Sequence, residues 1–187
     1  MRIGFLFLAF LLTSCVTHPP ESPYAPVYLT QRARYTLLPP GDIEAPMDLG
    51  QHITGTYGEG EFILDAWTEA DENRVTMAFF NTLGVGMGDL SFDEGGLVFS
   101  SPFLSPRITA EYIVADFQLC FYRAEAVAAA LKRAGLTFRV EKAAGAASEV
   151  RTVYEGKTPI IRIEKGTASV AYANYFRRYA YTLEGEW

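Results

Sequence analysis

From residue 34 onwards, most of the chain alternates apolar and polar side chains with a period of two, and this pattern constrains the fold more than any other feature. Successive residues of a β-strand point to opposite faces, so short alternating segments between turns predict antiparallel strands. Turns rich in Gly, Pro, Asp, Glu and Asn separate the strands predicted in the first half, which are residues 34–38, 51–56, 61–69, 74–82, 84–92 and 97–101. The first half therefore predicts an antiparallel meander.

The period changes in the middle of the chain. Ser105 followed by Pro106 is typical of a helix start, because proline is favoured at the first helical position. Apolar residues then recur at helical spacing and predict a helix over 106–121; they are Ile108, Tyr112, Ala115 and Leu119. A second helix is predicted over 124–134, where two basic residues precede Gly135.

Strands resume after the helices, at 137–142, 150–154, 158–164 and 169–183. The order of strands, helices and strands argues against βαβ units and for a mainly β, α+β domain. We therefore expect one curved antiparallel sheet of roughly eight to eleven strands, with two or more helices on its concave side.

The N-terminal segment is typical of a signal peptide. One arginine precedes an apolar run over 3–12, which is shorter than the roughly 20 residues that span a bilayer. Four prolines between residues 16 and 26 predict an extended tether. The expected organisation is a signal peptide at 1–14, Cys15 with the tether at 15–26, and a single folded domain at 27–187.

The end of this segment, Leu12-Thr13-Ser14-Cys15, resembles the lipobox of bacterial lipoproteins. The resemblance implies cleavage before Cys15 and attachment of acyl chains such as palmitate to that residue. Two or three chains anchor a protein stably to a membrane, whereas one does not. In those lipoproteins an Asp after the cysteine is the signal for retention in the inner membrane. Because Val16 stands at that position, the resemblance also implies a location on the periplasmic face of the outer membrane. An ordinary secretory signal with an incidental Cys15 is the alternative.

Composition and the scarcity of reactive side chains limit the functions that the chain can have. A net charge of −6 without a Lys/Arg cluster makes it a poor candidate for binding nucleic acid. Its two histidines, His18 and His52, fall outside any G-x-S-x-G or H-E-x-x-H motif, and Cys120 lies among large apolar residues. We therefore predict no catalytic residue and no metal site.

Several strands are apolar on both faces, which means that both faces are partly covered or that one face encloses something. Gly84, Gly86 and Gly88 share a face with Leu90 and Phe92 if no bulge intervenes, and they would leave room for a ligand chain or only allow curvature. The residues predicted to line an apolar cavity are Phe62, Leu64, Met77, Phe79, Gly84, Gly86, Gly88, Leu90, Phe92, Ile108, Tyr112, Ala115, Leu119, Ile161 and Ile163. The alternative is a dense core.

Three segments carry a family resemblance: the stretch 74–84, which ends in Asn81-Thr82-Leu83-Gly84, then 89–92, then 96–98. They resemble the central strands of LolB, the outer-membrane lipoprotein receptor. The chain is still more similar to an uncharacterised family of small proteobacterial lipoproteins allied to LolA and LolB, whose members are often encoded beside aryl-polyene or fatty-acid-like biosynthesis genes. LolB has a protruding loop with an exposed hydrophobic residue, whereas the turn here is Tyr57-Gly58-Glu59-Gly60.

The resemblance implies a half-open barrel closed by helices, an apolar cavity for acyl chains and no cofactor. The leading hypothesis is an outer-membrane lipoprotein that binds a lipid, an acyl chain or a polyene product, to carry it or seat it in the membrane. Two alternatives stay open: a periplasmic hydrolase or thioesterase that acts on such a product, and a structural or inhibitory lipoprotein that binds a protein partner.

Overall fold

The computed structural model describes residue 24 and residues 26–101, 109–142 and 147–185. The predicted signal peptide, Cys15, Ser105, Pro106 and Ile108 lie outside the described residues.

Twelve strands and two α-helices form the described part of the chain. In chain order they are β1 (Val27–Tyr28), β2 (Arg34–Tyr35), β3 (Met47–Tyr57), β4 (Gly60–Ala70), β5 (Arg74–Phe80), β6 (Gly86–Asp93), β7 (Gly96–Ser100), α1 (Ala110–Phe121), α2 (Ala124–Arg133), β8 (Thr137–Glu141), β9 (Ala147–Glu155), β10 (Thr158–Gly166), β11 (Ser169–Asn174) and β12 (Tyr179–Glu184). A short 3₁₀ helix covers Pro40–Asp42.

Ten of these described strands form one antiparallel sheet in the order β7-β6-β5-β4-β3-β12-β11-β10-β9-β8, and the other two form a small hairpin. The chain builds the sheet as two meanders that meet where β3 pairs with β12. The sheet does not close, because β7 and β8 stand at its two ends. The predicted mainly β architecture, with an antiparallel sheet and two helices, is confirmed, and it is consistent with a curved half-barrel.

The strand register separates an inner face, which packs against the helices, from an outer face. Leu90 of β6 lies opposite Met77 of β5 on the inner face, and both are buried. Trp67 of β4 lies on the outer face and is exposed. Side chains of α1 and α2 join the inner face of the sheet in one hydrophobic core.

Helix α1 begins later than the sequence predicted. Thr109 has extended backbone angles, φ −97° and ψ 132°, so α1 starts at Ala110. Its C-terminal half is buried over residues 114–121. The second helix ends near the predicted position, since Gly135 takes the left-handed φ of +78° that stops a helix.

The predicted strand over 169–183 is two strands, and the prediction was wrong here. β11 and β12 pair with each other across a turn at 175–178. The turn is stabilised by the amide oxygen Oδ1 of Asn174, which accepts a hydrogen bond of 2.9 Å from the backbone N–H of Arg177. Aromatic residues occupy both strands and the turn alike, so composition hides the reversal.

A bulge also changes the predicted face of two glycines. Phe79 pairs with Gly88, but the next residue, Phe80, pairs with Gly86, so Met87 is extra. The alternation shifts by one residue at such a bulge. Gly88 therefore shares the inner face with Leu90, whereas Gly86 and Gly84 are exposed and do not. Gly84 lies in the turn before β6, outside any strand.

Candidate functional site

The residues predicted to line an interior cavity mostly belong to the hydrophobic core. Nine of them are buried, namely Met77, Phe79, Gly88, Leu90, Phe92, Ala115, Leu119, Ile161 and Ile163. Leu64 and Tyr112 are partly buried against the same core. Phe62 is half-buried, and Ile108 lies outside the described residues. Helix α1 therefore covers the inner face of the sheet, where the sequence predicted a ligand-binding cavity.

A carboxylate is buried at the contact between α1 and the sheet. Asp116 accepts hydrogen bonds of 2.6 Å from the hydroxyls of Tyr172 and Tyr179, one on each carboxylate oxygen. The rings of Tyr172 and Tyr181 stack at 4.8 Å between their centroids. Burial raises the pKa of Asp116 to about 7, although the two hydroxyls and the cation of Arg177 oppose the shift. These contacts fix the position of the helix.

A buried arginine holds the C-terminal end of the same helix. Arg151 of β9 is 1% exposed, and its Nη1 donates to the backbone carbonyls of Leu119 and Tyr122, at 3.2 and 2.7 Å. Its remaining nitrogens donate to Glu44 at 3.0 Å and to Glu149 at 2.6 Å. A cation at this end complements the negative end of the helix dipole. The inner face is therefore built to seat α1.

The histidine and the cysteine of the described residues lie on opposite sides of the sheet. His52 is exposed on the outer face, where its Nδ1 lies 2.7 Å from Oδ1 of Asp65. Cys120 is buried in α1, and burial raises the pKa of its thiol. A catalytic Cys/His pair is therefore not assembled. Across the described ranges, no three His, Cys, Asp or Glu side chains are grouped so that they could hold a metal ion.

A groove of about 530 Å³ lies on the outer face where the two meanders meet. Its floor is made by three adjacent strands, β3, β12 and β11, whose outward side chains are small. Two cross-strand rows follow from the register. One row runs Thr54, Thr182, Ala171, and the other runs Thr56, Ala180, Ala173. Neighbouring strands lie about 4.8 Å apart, so three small-residue strands leave a shallow trough roughly 10 Å wide.

Larger side chains continue both rows and form the two walls of the groove. On one side β4 contributes Ile63, which pairs with Thr54, and Glu61, which pairs with Thr56. On the other side β10 contributes Glu164 and Arg162. Arg162 donates from Nε to Oε1 of Glu164 at 2.8 Å, and this hydrogen bond raises the pKa of Arg162. Tyr175 stands at one end of the groove, in the turn after β11.

The sequence contains a signal for this groove that periodicity alone does not reveal. The three floor strands read Thr54-Gly55-Thr56, Ala171-Tyr172-Ala173 and Ala180-Tyr181-Thr182. In the last two, a tyrosine faces the core between two small outward residues. In the first, the ring of Phe62 covers Gly55 so closely that an added Cβ would lie 2.5 Å from its Cζ. Only the register shows that the small residues are neighbours.

Neither helix described here is long and apolar enough to cross a membrane. A family model described as a protein of unknown function (DUF3261) matches residues 48–185, which include the groove and both helices. No curated protein matches the chain.

Proposed function

The chain belongs to the DUF3261 family, and we propose that it is a membrane-anchored protein that binds an acyl or polyene chain in its outer-face groove. The observation that carries this proposal is the trough of small side chains on β3, β12 and β11 between two walls of larger ones. A volume of about 530 Å³ lies within the range typical of ligand sites, about 300 to 1,000 Å³.

The chemistry of the floor favours an extended apolar ligand. The alanines and threonines that line the trough contribute methyl groups, so an unbranched chain that lies flat on it removes apolar surface from water. Each fully buried methylene contributes about 0.8 kcal/mol. An open groove covers one side of the ligand, so a chain of roughly 16 carbons gains on the order of 6 kcal/mol, and we expect a dissociation constant no tighter than about 10 to 100 µM.

We infer the location from the sequence. The lipobox-like segment ending in Cys15 and the Val16 that follows support acylation and attachment to the periplasmic face of the outer membrane. A protein held there meets acyl chains continuously, so modest affinity suffices for carrying or seating a product. The open antiparallel sheet with α1 on its inner face is compatible with an alliance to LolA and LolB, although the ligand proposed here lies on the other face.

A photoreactive fatty acid with a diazirine on its chain tests the proposal in membranes that contain the full-length protein. After illumination, we expect mass spectrometry to find the label on peptides from β3, β11 and β12. Ala173→Leu fills the floor of the groove without touching the core, and it should reduce this labelling about fourfold, because it displaces roughly two half-covered methylenes of the ligand.

Ala78→Leu is the matched control, because Ala78 faces outward on β5, on the far side of β4 from the groove. This variant should be labelled like the wild type. If Ala173→Leu is folded and labels as strongly as the control, or if the label lies on peptides of the inner face, the groove is not the binding site.

A further inference from the structure

The exposed apolar side chains of the protein are concentrated at one end of the sheet. In an antiparallel meander every second turn lies at the same end, so the β3–β4, β5–β6, β9–β10 and β11–β12 turns form one rim. Ten large hydrophobic side chains of the described ranges are exposed, and six belong to this rim. We call these six the apolar rim; they are Tyr28, Tyr57, Leu83, Val85, Tyr175 and Phe176.

Tyr28 precedes the sheet in the chain but lies at the same end. The guanidinium of Arg177, in the β11–β12 turn, donates from Nη2 to the backbone carbonyl of Tyr28 at 2.8 Å. It also bonds the hydroxyl of Tyr112 and lies over that ring, 3.9 Å from the centroid. The rim therefore includes residues from distant parts of the sequence.

The turns of the rim are held in fixed conformations. The side-chain oxygen of Asn81 accepts hydrogen bonds of 2.9 Å from the backbone N–H groups of Leu83 and Val85. The left-handed φ of +76° at Gly84 completes this turn, and Leu83 stands at its tip with 85% of its surface exposed. A second link joins two turns, since the N–H of Gly58 donates to the carbonyl of Arg178 at 3.2 Å. These hydrogen bonds keep Leu83 from folding back onto the protein. An exposed apolar side chain held in this way indicates a surface that contacts another molecule.

The two ends of the sheet differ in charge as well as in polarity. The turns that form the rim carry three basic residues, Lys157, Arg177 and Arg178, against one acidic residue, Glu59. The turns at the opposite end carry Asp71, Glu72 and Glu94 against Lys142. Tyrosine is enriched at the water interface of membranes, and arginine keeps its charged group at head-group level while its stem lies among apolar groups. Anionic head groups attract the rim and repel the acidic end.

We propose that the apolar rim docks on the surface of a phospholipid bilayer, with Leu83 and Phe176 entering the head-group region. The rim consists of separate side chains at the tips of turns, with polar residues between them. A fluid lipid surface accommodates such points one by one, whereas a rigid protein surface would leave gaps between them. Because Tyr175 belongs both to the rim and to the groove, docking turns one end of the groove towards the lipid.

The test uses the full acylated protein in protein-free vesicles of phosphatidylcholine, with or without phosphatidylglycerol. Leu83→Cys is labelled with an environment-sensitive fluorophore; the native thiol of Cys120 is buried and does not compete. We expect a blue-shifted emission, quenched by lipids brominated near the head group. Glu72→Cys, at the opposite end, is the matched control and should show neither effect.

Phe176→Ser supplies a second readout, because it removes another apolar side chain of the rim from the lipid and should lower the quenching at position 83 by about fivefold. Equal emission at both labelled positions overturns the proposal. A blue-shifted emission at position 83 in native membranes but not in protein-free vesicles also overturns the proposal, and it would favour a protein partner. Quenching that persists in the Ala173→Leu variant separates rim docking from chain binding in the groove, so either proposal can fail alone.

Discussion

Asp116 of α1 and Tyr172 of β11 are joined by a hydrogen bond of 2.6 Å in the interior, and Tyr179 bonds the second carboxylate oxygen at the same distance. The helix is thus tied to the sheet by a buried carboxyl group. Because charging a buried carboxyl is unfavourable, its pKa rises from the ordinary 3.8 to about 7. The folded state consequently binds a proton more tightly than the unfolded state does.

This difference predicts that stability falls as the pH rises from about 4 to about 7 and then levels off, since the unfolded chain loses the proton first. The contribution of Asp116 to that fall is on the order of 4 kcal/mol. Asp116→Asn should remove most of the slope in urea unfolding between these pH values. Asp48→Asn changes an exposed carboxylate and should leave the slope intact. An unchanged slope in Asp116→Asn would mean that the carboxyl titrates normally.

Arg151 should be among the most costly residues to replace. Arg151→Met leaves the carbonyls of Leu119 and Tyr122 without their donor, and we expect a loss of about 3 kcal/mol in the free energy of unfolding. Arg74→Met is the control, because Arg74 lies 3.8 Å from Glu69 in an exposed pair whose loss costs under about 1 kcal/mol. Similar losses for the two variants in chemical unfolding would contradict the role of Arg151 at the end of α1.

Two glycines on either side of the β6 bulge should differ in their response to the same substitution. A Cβ at Gly88 would lie 2.7 Å from the backbone oxygen of Ser100, so Gly88→Ala should destabilise the fold by about 1 to 3 kcal/mol. A Cβ at Gly86 meets nothing within 4 Å, and Gly86→Ala should change stability by less than about 0.5 kcal/mol. Thermal unfolding of both variants measures the difference, and equal effects would place the bulge elsewhere.

How much of this fold the sequence predicts depends on whether the signal is local. Turns such as Asp93-Glu94-Gly95-Gly96 and the helix stop at Gly135 are local signals, and the strands and the second helix were predicted from them. The bulge at Met87 is set by how two strands pair, so alternation alone put Gly86 on the wrong face.

The candidate site was harder to predict than the fold, because it depends on which strands pair and not on a local signal. A pattern such as Ala171-Tyr172-Ala173 is an ordinary half-buried strand when considered alone. It becomes a groove only because β12 and β3, which are far apart in sequence, bring Ala180 and Thr54 into the neighbouring rows. The exposed rim likewise depends on which turns share an end of the sheet.

The anchor itself is the last prediction, and it rests on the sequence alone. If Cys15 receives the acyl chains, Cys15→Ala should abolish labelling by radioactive palmitate and leave the protein soluble or as an uncleaved precursor. Cys120→Ala is the matched control and should keep the label, because Cys120 is buried within α1. Val16→Asp should move the protein towards the inner membrane in density-gradient fractionation. Loss of the label with unchanged membrane attachment would show that the protein is held by something other than acylation, and the apolar rim would then be the first surface to mutate.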